Sequence, residues 1–196
     1  MHMIQFARRW MFAVLTAGTL ASIAMPTTAR AQVGHMYRLN SGLCPRLVTF
    51  GGFPVDGTLL EQVPCTPDDP FQQWYLVYNG HGPIAGHSGN YYLYWIVNAA
   101  TGKCAEVRDG LNADGSVIQA WTCNDNRQQL WAVGATNGGP FPNTGWYEVI
   151  GARSGKCFTI PFNSEFIGMN PVISTCTSRG IGSLNRYQLW LLPGYY

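Results

Sequence analysis

The sequence has no apolar run of the roughly 20 residues that a membrane-spanning helix needs. Its longest run near the start, residues 10–24, follows Arg8 and Arg9 and leads into the small-residue pattern Ala29-Arg30-Ala31. This order of basic residues, apolar run and cleavage pattern is typical of a secretory signal peptide. We therefore predict a signal over residues 1–31 and no membrane span; the two arginines also faintly resemble a twin-arginine signal.

The chain that follows the signal lacks an excess of basic residues. Removing Arg8, Arg9 and Arg30 leaves nine basic against ten acidic residues, so the net charge changes from +2 to −1. Nucleic-acid recognition normally depends on clustered Lys and Arg that displace counterions from phosphates. Nucleic acid is therefore not an expected partner.

Catalytic and metal-binding motifs are also missing. None of the ten acidic residues pairs within a motif, whereas a glycoside hydrolase needs two carboxylates about 5–9.5 Å apart. The sequence has no Ser-His-Asp, nucleophile-elbow or metalloprotease pattern. His81 and His87 have no third metal ligand near them, so we interpret residues 79–90 as a flexible turn between repeats, like residues 136–145. We predict no catalytic residues, no metal and no cofactor.

What the sequence does contain is a triplet, Gln-x-Trp, that occurs three times. The tryptophans of these triplets are 57 and 59 residues apart. Glycines and cysteines recur at matching positions before each triplet, and a fixed period of this length indicates an internally repeated fold. The glutamines and tryptophans are Gln72 and Trp74, Gln129 and Trp131, and Gln188 and Trp190.

The six cysteines form three pairs on the same register. The separations within the pairs are 21, 19 and 19 residues. An even number of regularly spaced cysteines in an exported chain indicates a disulfide framework, although six cysteines allow 15 pairings. Only pairing within a repeat gives every repeat the same geometry, and the short C-x₂₋₄-C spacing of zinc sites is missing. We predict the bridges Cys44–Cys65, Cys104–Cys123 and Cys157–Cys176.

Composition and local pattern predict an all-β fold. With 23 glycines and 12 prolines, the chain is interrupted too often for long helices. Residues 91–99 are rich in β-branched and aromatic side chains, and strands are expected at 103–107, 116–122 and 129–133 in the same repeat. The other repeats match, which gives four strands each over about residues 36–78, 91–135 and 146–192. The triplet tryptophans should be buried, and the glutamines should bridge backbone groups.

These markers together resemble the ricin B-type lectin family. The second repeat carries the resemblance best, through Thr101-Gly102-Lys103-Cys104, the Asp114-Gly115 turn, residues 117–123 and the triplet at 129–131. The match covers about residues 36–192. The resemblance implies a β-trefoil of three four-stranded repeats with pseudo-threefold symmetry, which we expect to occupy residues 32–196.

The resemblance also implies where sugar binds. The family has an aspartate two residues after the first cysteine, an aromatic residue two before the second, and an asparagine just before the triplet. In the second repeat these positions hold Glu106, Trp121 and Gln128, and Gln119 lies on the same strand face as Trp121. A carboxylate accepts from sugar hydroxyls, an aromatic ring stacks on the C–H face of a pyranose, and an amide donates to a hydroxyl. Glu106 and Gln128 are each one methylene longer than the family's residues.

The other two repeats lack this combination. The first has Arg46, Val63 and Phe71 at these positions, and the third has Thr159, Ser174 and Tyr187. Neither set has the carboxylate or the stacking ring, and Arg46 cannot accept a hydrogen bond. We interpret them as scaffold, or as a surface for another partner.

Two functions are compatible with these features. The first is a secreted or periplasmic, non-catalytic carbohydrate-binding module for a galactose-type or other glycan. The alternative is a non-catalytic protein-interaction or cell-binding subunit of a secreted complex, such as the lectin-like chains of cytolethal distending toxins. A large exposed aromatic patch would favour the alternative.

Overall fold

Twelve β-strands account for the regular structure in the computed structural model, which describes residues 31–134, 145–177 and 186–194. In the first repeat the strands are β1 Tyr37–Arg38, β2 Cys44–Leu47, β3 Thr58–Val63 and β4 Trp74–Gly82. In the second they are β5 Tyr91–Asn98, β6 Lys103–Val107, β7 Ile118–Thr122 and β8 Trp131–Gly134. In the third they are β9 Tyr147–Gly151, β10 Cys157–Thr159, β11 Val172–Ser174 and β12 Leu189–Leu191.

The first and fourth strands of the repeats form a closed antiparallel barrel. The pairs are β1–β12, β12–β9, β9–β8, β8–β5 and β5–β4. A bridge between Gly34 and Trp74 closes the ring. The second and third strands form the hairpins β2–β3, β6–β7 and β10–β11. This architecture is a β-trefoil, which confirms the predicted fold, and closing the barrel leaves it without an open sheet edge.

The three triplet tryptophans lie in the core at equivalent places. Each is at most 1% exposed. Each indole Nε1 donates at 2.9 Å to a backbone carbonyl oxygen one residue after the first cysteine of its own repeat. The acceptors are Pro45, Ala105 and Phe158. The tryptophan therefore contributes its large apolar surface to the core and still has its only donor satisfied.

The triplet glutamines hold the second cysteine of each repeat from both sides. Their Oε1 atoms accept at 2.8 Å from the backbone N–H of Thr66, Asn124 and Thr177. Their Nε2 atoms donate to the carbonyl oxygens of Pro64, Thr122 and Thr175 at 3.0–3.1 Å. The disulfides are Cys44–Cys65, Cys104–Cys123 and Cys157–Cys176, which confirms one bridge inside each repeat.

Two differences between the predicted and the observed strands have a structural cause. Gln129 lies in the short 3-10 turn Arg127–Gln129 rather than at the start of β8, because its side chain folds back onto the residues beside Cys123. Strand β4 continues to Gly82, past the expected end of the first repeat at residue 78. Residues 83–90 are not a free turn but lie against the third repeat, where Ala85 N donates to Ala152 O at 3.2 Å.

Parts of three predicted segments lie outside the described part of the chain. Residues 1–30 include nearly all of the expected signal, and residues 135–144 include most of the glycine-rich stretch between the second and third repeats. Residues 178–185, in the third repeat, also lie outside it. Within the described residues, no helix has the length and apolar character needed to cross a membrane.

Candidate functional site

Strands β6 and β7 bring together the four residues that the family pattern selects in the second repeat. Glu106 on β6 is directly opposite Gln119 on β7. Trp121 lies two residues further along β7, on the same face as Gln119, and is 38% exposed. Gln128 approaches from the 3-10 turn that precedes β8 and is half-buried. The result is a partly exposed aromatic ring on the same strand pair as a cluster of hydrogen-bonding groups.

The carboxylate of Glu106 lies inside this cluster rather than at its surface. It is 2% exposed. Its Oε1 accepts from Gln119 Nε2 at 2.8 Å, and its Oε2 accepts from Gln129 Nε2 at 2.8 Å. A longer contact of 3.4 Å joins Gln128 Nε2 to the same Oε2. A buried charge is costly unless strong hydrogen bonds compensate it, and three amide groups provide them here.

Gln129 links the site to the framework of the fold. Its amide nitrogen donates both to Glu106 and to the carbonyl oxygen of Thr122, while its oxygen holds Asn124 N. Gln129 was predicted to have only a structural role, and its contact with Glu106 was not predicted. The sequence does contain a signal for this contact, because only the second repeat has an acidic residue two positions after its first cysteine.

The loop between β6 and β7 closes one side of the site. Gly110 in this loop has φ +62, and a Cβ there would be 2.6 Å from Gln128 Oε1. Arg153 Nε of the third repeat donates to the carbonyl oxygen of Gly110 at 2.8 Å and fixes the loop. Glycine adopts this backbone conformation without strain, and a side chain here would displace the end of Gln128.

A turn from the first repeat forms the wall beside Trp121. A Cβ on Gly57 would be 3.8 Å from Cζ3 of the Trp121 ring, and Gly57 N donates to Ala120 O at 2.8 Å. The neighbouring Asp56 accepts from Lys103 Nζ and from Thr122 N. The hydrogen bond from Lys103 lowers the pKa of the Asp56 carboxyl, with a further contribution from Thr122. This wall was not predicted from the sequence, because it depends on contacts between repeats.

The equivalent place in the first repeat is filled by an ion pair. Arg46 Nε donates to Glu61 Oε1 at 3.1 Å, and these two residues occupy the same opposed strand positions as Glu106 and Gln119. Asp69 lies 3.7 Å from Arg46 on the other side. An arginine side chain has hydrogen-bond donors and no acceptor, so this position cannot accept from a sugar hydroxyl.

In the third repeat the equivalent place is a cavity of about 540 Å³. Thr159, Ser174 and Gln188 line it together with Asp114 from the second repeat and Phe162 from the β10–β11 loop. Phe162 is 96% exposed and has φ +55, a conformation that is rare for an aromatic residue. The third repeat, which the sequence pattern suggested is scaffold or a surface for another partner, therefore has a cavity at this position.

Comparisons with known proteins agree with this fold. A family model described as "Ricin-type beta-trefoil lectin domain-like" matches residues 70–173. No curated protein matches the sequence. Among solved structures, the designed threefold-symmetric protein ThreeFoil is 20% identical, with a TM-score of 0.65 over 82% of this chain and 97% of that one.

Two natural proteins have the same fold at lower identity. A Polyporus squamosus lectin, solved with the epitope Neu5Aca2-6Galb1-4GlcNAc, is 12% identical with a TM-score of 0.58, over 82% of this chain and 48% of that one. The Haemophilus ducreyi cytolethal distending toxin is 14% identical with a TM-score of 0.54, over 83% of each chain. At these identities the structures show a shared fold. Because the family model covers more than half of the 196 residues, the chain belongs to the ricin-type beta-trefoil lectin domain-like family.

Proposed function

We propose that this chain is a secreted, non-catalytic carbohydrate-binding module that binds sugar mainly through its second repeat. The observation that carries the proposal is the pairing of a 38% exposed Trp121 with the buried Glu106 and its three glutamine amides. Exposed tryptophan beside preorganised polar groups is the arrangement that suits a pyranose, which has an apolar C–H face and a rim of hydroxyls.

In this proposal the pyranose stacks on the Trp121 ring and its hydroxyls meet the amide cluster. The 3.4 Å contact between Gln128 Nε2 and Glu106 Oε2 is the weakest in the cluster. A sugar hydroxyl takes the place of this contact, so that Oε2 accepts from the hydroxyl and Gln128 turns to bind the sugar. Gln119 and Gln129 keep the carboxylate oriented through their 2.8 Å hydrogen bonds.

Secretion is part of the same proposal. The expected signal over residues 1–31 and the three disulfides support export to an oxidising compartment, either the periplasm or the exterior. A single site of this kind binds sugar weakly unless valency is added.

A second candidate is a non-catalytic protein-interaction or cell-binding subunit of a secreted complex, such as a toxin. Exposed apolar side chains in the loops between second and third strands favour it, because exposed apolar area is a feature of interaction surfaces. They are Phe50, Phe53, Val55, Leu111, Phe162, Phe166 and Ile167. The shared fold with the cytolethal distending toxin is compatible with this candidate.

A glycan array tests the leading proposal. The secreted, disulfide-bonded protein is compared with Trp121→Ala and with Phe50→Ala, a matched removal of an exposed ring outside the site. We expect the wild type and Phe50→Ala to bind the same glycans and Trp121→Ala to lose the glycans that bind at the second repeat. If the folded wild type binds no glycan on a broad array, the lectin proposal fails. The partner-subunit candidate then predicts that a pull-down from the secreting organism recovers a defined second chain.

A further inference from the structure

Four aromatic rings form a cluster on the β4–β5 hairpin, apart from the second-repeat site. They are Tyr78 and His81 on β4 and Tyr92 and Tyr94 on β5. The ring centroids of His81 and Tyr92 are 4.2 Å apart, and those of Tyr78 and Tyr92 are 6.0 Å apart. Tyr78 is 51% exposed and Tyr92 is 58% exposed. Soluble proteins seldom expose several large aromatic rings that contact one another. Such a cluster therefore indicates a binding surface.

A β-bulge places all four rings on one face. Tyr78 is opposite Tyr94 and His81 is opposite Tyr92, so β4 has two residues where β5 has one. Gly80 in the bulge has φ +95, which favours glycine. Without the extra residue, Gly80 would lie opposite Tyr92 and His81 would point to the other face. Bulges often redirect a side chain next to a functional surface.

Both ends of the hairpin are held, so the cluster is presented on a fixed support. At the base, Trp74 pairs with Asn98. At the tip, Ala85 N donates to Ala152 O, and His87 Nε2 donates to Gly155 O at 3.1 Å. Arg127 Nη2 donates to the carbonyl oxygens of Pro83 and Ala152. A surface that is ordered before binding loses less conformational entropy when a ligand arrives.

The chemistry of the hairpin favours an uncharged ligand. Residues 70–102 contain no Asp, Glu, Lys or Arg. Tyr78 Oη lies 2.7 Å from His81 Nδ1, and the polar groups carried by the four residues of the cluster are three phenols and one imidazole. Arg127, which approaches Gly82, lies on the opposite face with its Nη2 bound to backbone carbonyls. Residues 70–102 of the hairpin and its flanks therefore offer an anionic ligand no guanidinium or ammonium group of their own.

We propose that this aromatic face is a second carbohydrate-binding site, specific for neutral glycan chains, in which Tyr92 and Tyr78 stack on the sugar rings. This inference rests on the proposed function and adds a separate set of contacts to it. Two sites on one chain would raise the avidity for a polymeric glycan without any new partner.

The test is NMR titration of the secreted, disulfide-bonded protein with a panel of neutral oligosaccharides built from glucose, galactose, mannose or N-acetylglucosamine. Galacturonic acid oligosaccharides are the charged counterpart of the galactose series. The readouts are the ring signals of Tyr78 and Tyr92 and the indole signal of Trp121. We expect at least one neutral series to shift the tyrosine signals, and the galacturonic acid series to leave them unchanged.

Variants separate the two sites. We expect Tyr92→Ala to weaken binding at the hairpin about threefold to tenfold, the range that removal of a stacking ring gives. The control Phe50→Ala should leave the affinity unchanged, and thermal unfolding verifies that each variant is folded.

The outcomes distinguish this inference from the proposed function. Tyrosine shifts that persist in Trp121→Ala support the hairpin site independently of the second repeat. Shifts confined to Trp121 overturn the hairpin site and support the second-repeat site. Equal tyrosine shifts with the galacturonic acid series overturn the specificity for neutral chains, and no shift with any sugar overturns both proposals.

Discussion

At the scale of single residues, the carboxylate of Glu106 connects the candidate site to the framework of the fold. Its hydrogen-bond partners are three glutamine amides, one of which also holds the strand beside the second cysteine of the repeat. The same side chain therefore contributes to the shape of the site and to the stability of the repeat. Removing its charge should affect both.

Glu106→Gln tests this dual role. The replacement amide offers one acceptor oxygen and adds a donor, so at least one of the buried amide donors loses its partner. We expect the free energy of unfolding to fall by about 1–3 kcal/mol, together with a loss of sugar affinity. Chemical denaturation gives the first quantity and calorimetry the second. Asp125→Asn is the control, since Asp125 is exposed; equal stability of both variants would contradict the proposed network.

At the scale of elements, the tip of the β4–β5 hairpin is packed unusually closely on the third repeat. Gly42, Gly102 and Gly155 occupy equivalent positions and all have φ +66. A Cβ on Gly102 would have no neighbour within 4 Å, whereas a Cβ on Gly155 would be 1.9 Å from the carbonyl oxygen of Ala85. The two positions thus differ in packing and not in backbone conformation.

This pair offers a matched comparison. Gly102→Ala should cost about 1–2 kcal/mol of stability, the strain of a left-handed backbone with a side chain. Gly155→Ala should cost about 1–3 kcal/mol more, because residues 83–90 must move away. Urea unfolding of the two variants measures the difference. Equal losses would mean that the hairpin tip does not pack against the third repeat.

The elements also show how far the sequence could predict the structure. Strand β6 matches its predicted range, 103–107, because strand-forming residues after a glycine turn are a local signal. The bulge at Gly80 and the docking of residues 83–90 were not predicted, since both depend on strand register and on contacts with a distant repeat. In the candidate site, the spacing from the cysteines was enough to select Trp121. The contacts of Glu106 with Gln129 and of Gly57 with Trp121 could not be predicted in this way.

At the scale of the whole molecule, three equivalent turns join each repeat to the next. Gly57 N donates to Ala120 O, Gly115 N to Ile173 O, and Gly168 N to Gln62 O. Two of these turns have an aspartate before the glycine, and Asp56 and Asp114 accept from a lysine and a threonine of the following repeat. The third turn has Ile167 at this position and lacks the carboxylate.

These aspartates predict how stability depends on pH. The hydrogen bonds from Lys103 and Lys156 lower the pKa of Asp56 and Asp114 below the ordinary value of 3.8. The folded state therefore binds fewer protons than the unfolded state, and the stabilisation is present above this value and lost as the pH falls through the lowered pKa. Between about pH 5 and about pH 3, the wild type should lose more stability than the double variant Asp56→Asn, Asp114→Asn.

Thermal unfolding across this pH range measures the effect. Asp68→Asn combined with Asp125→Asn is the control, since both residues are exposed. This control should keep the slope of the wild type. Identical slopes for the wild type and the Asp56, Asp114 variant would show that the turn aspartates do not stabilise the junctions between repeats.

The most direct test of the central proposal is the affinity of Trp121 variants for the glycan that the array identifies. Calorimetry compares the wild type with Trp121→Phe, Trp121→Ala and the control Phe50→Ala. We expect Trp121→Phe to retain part of the affinity and Phe50→Ala to have the affinity of the wild type. Trp121→Ala should lose about tenfold or more in affinity at the second-repeat site, since stacking and the apolar area of the ring are both removed. Unchanged affinity in a folded Trp121→Ala would contradict sugar binding by the second repeat.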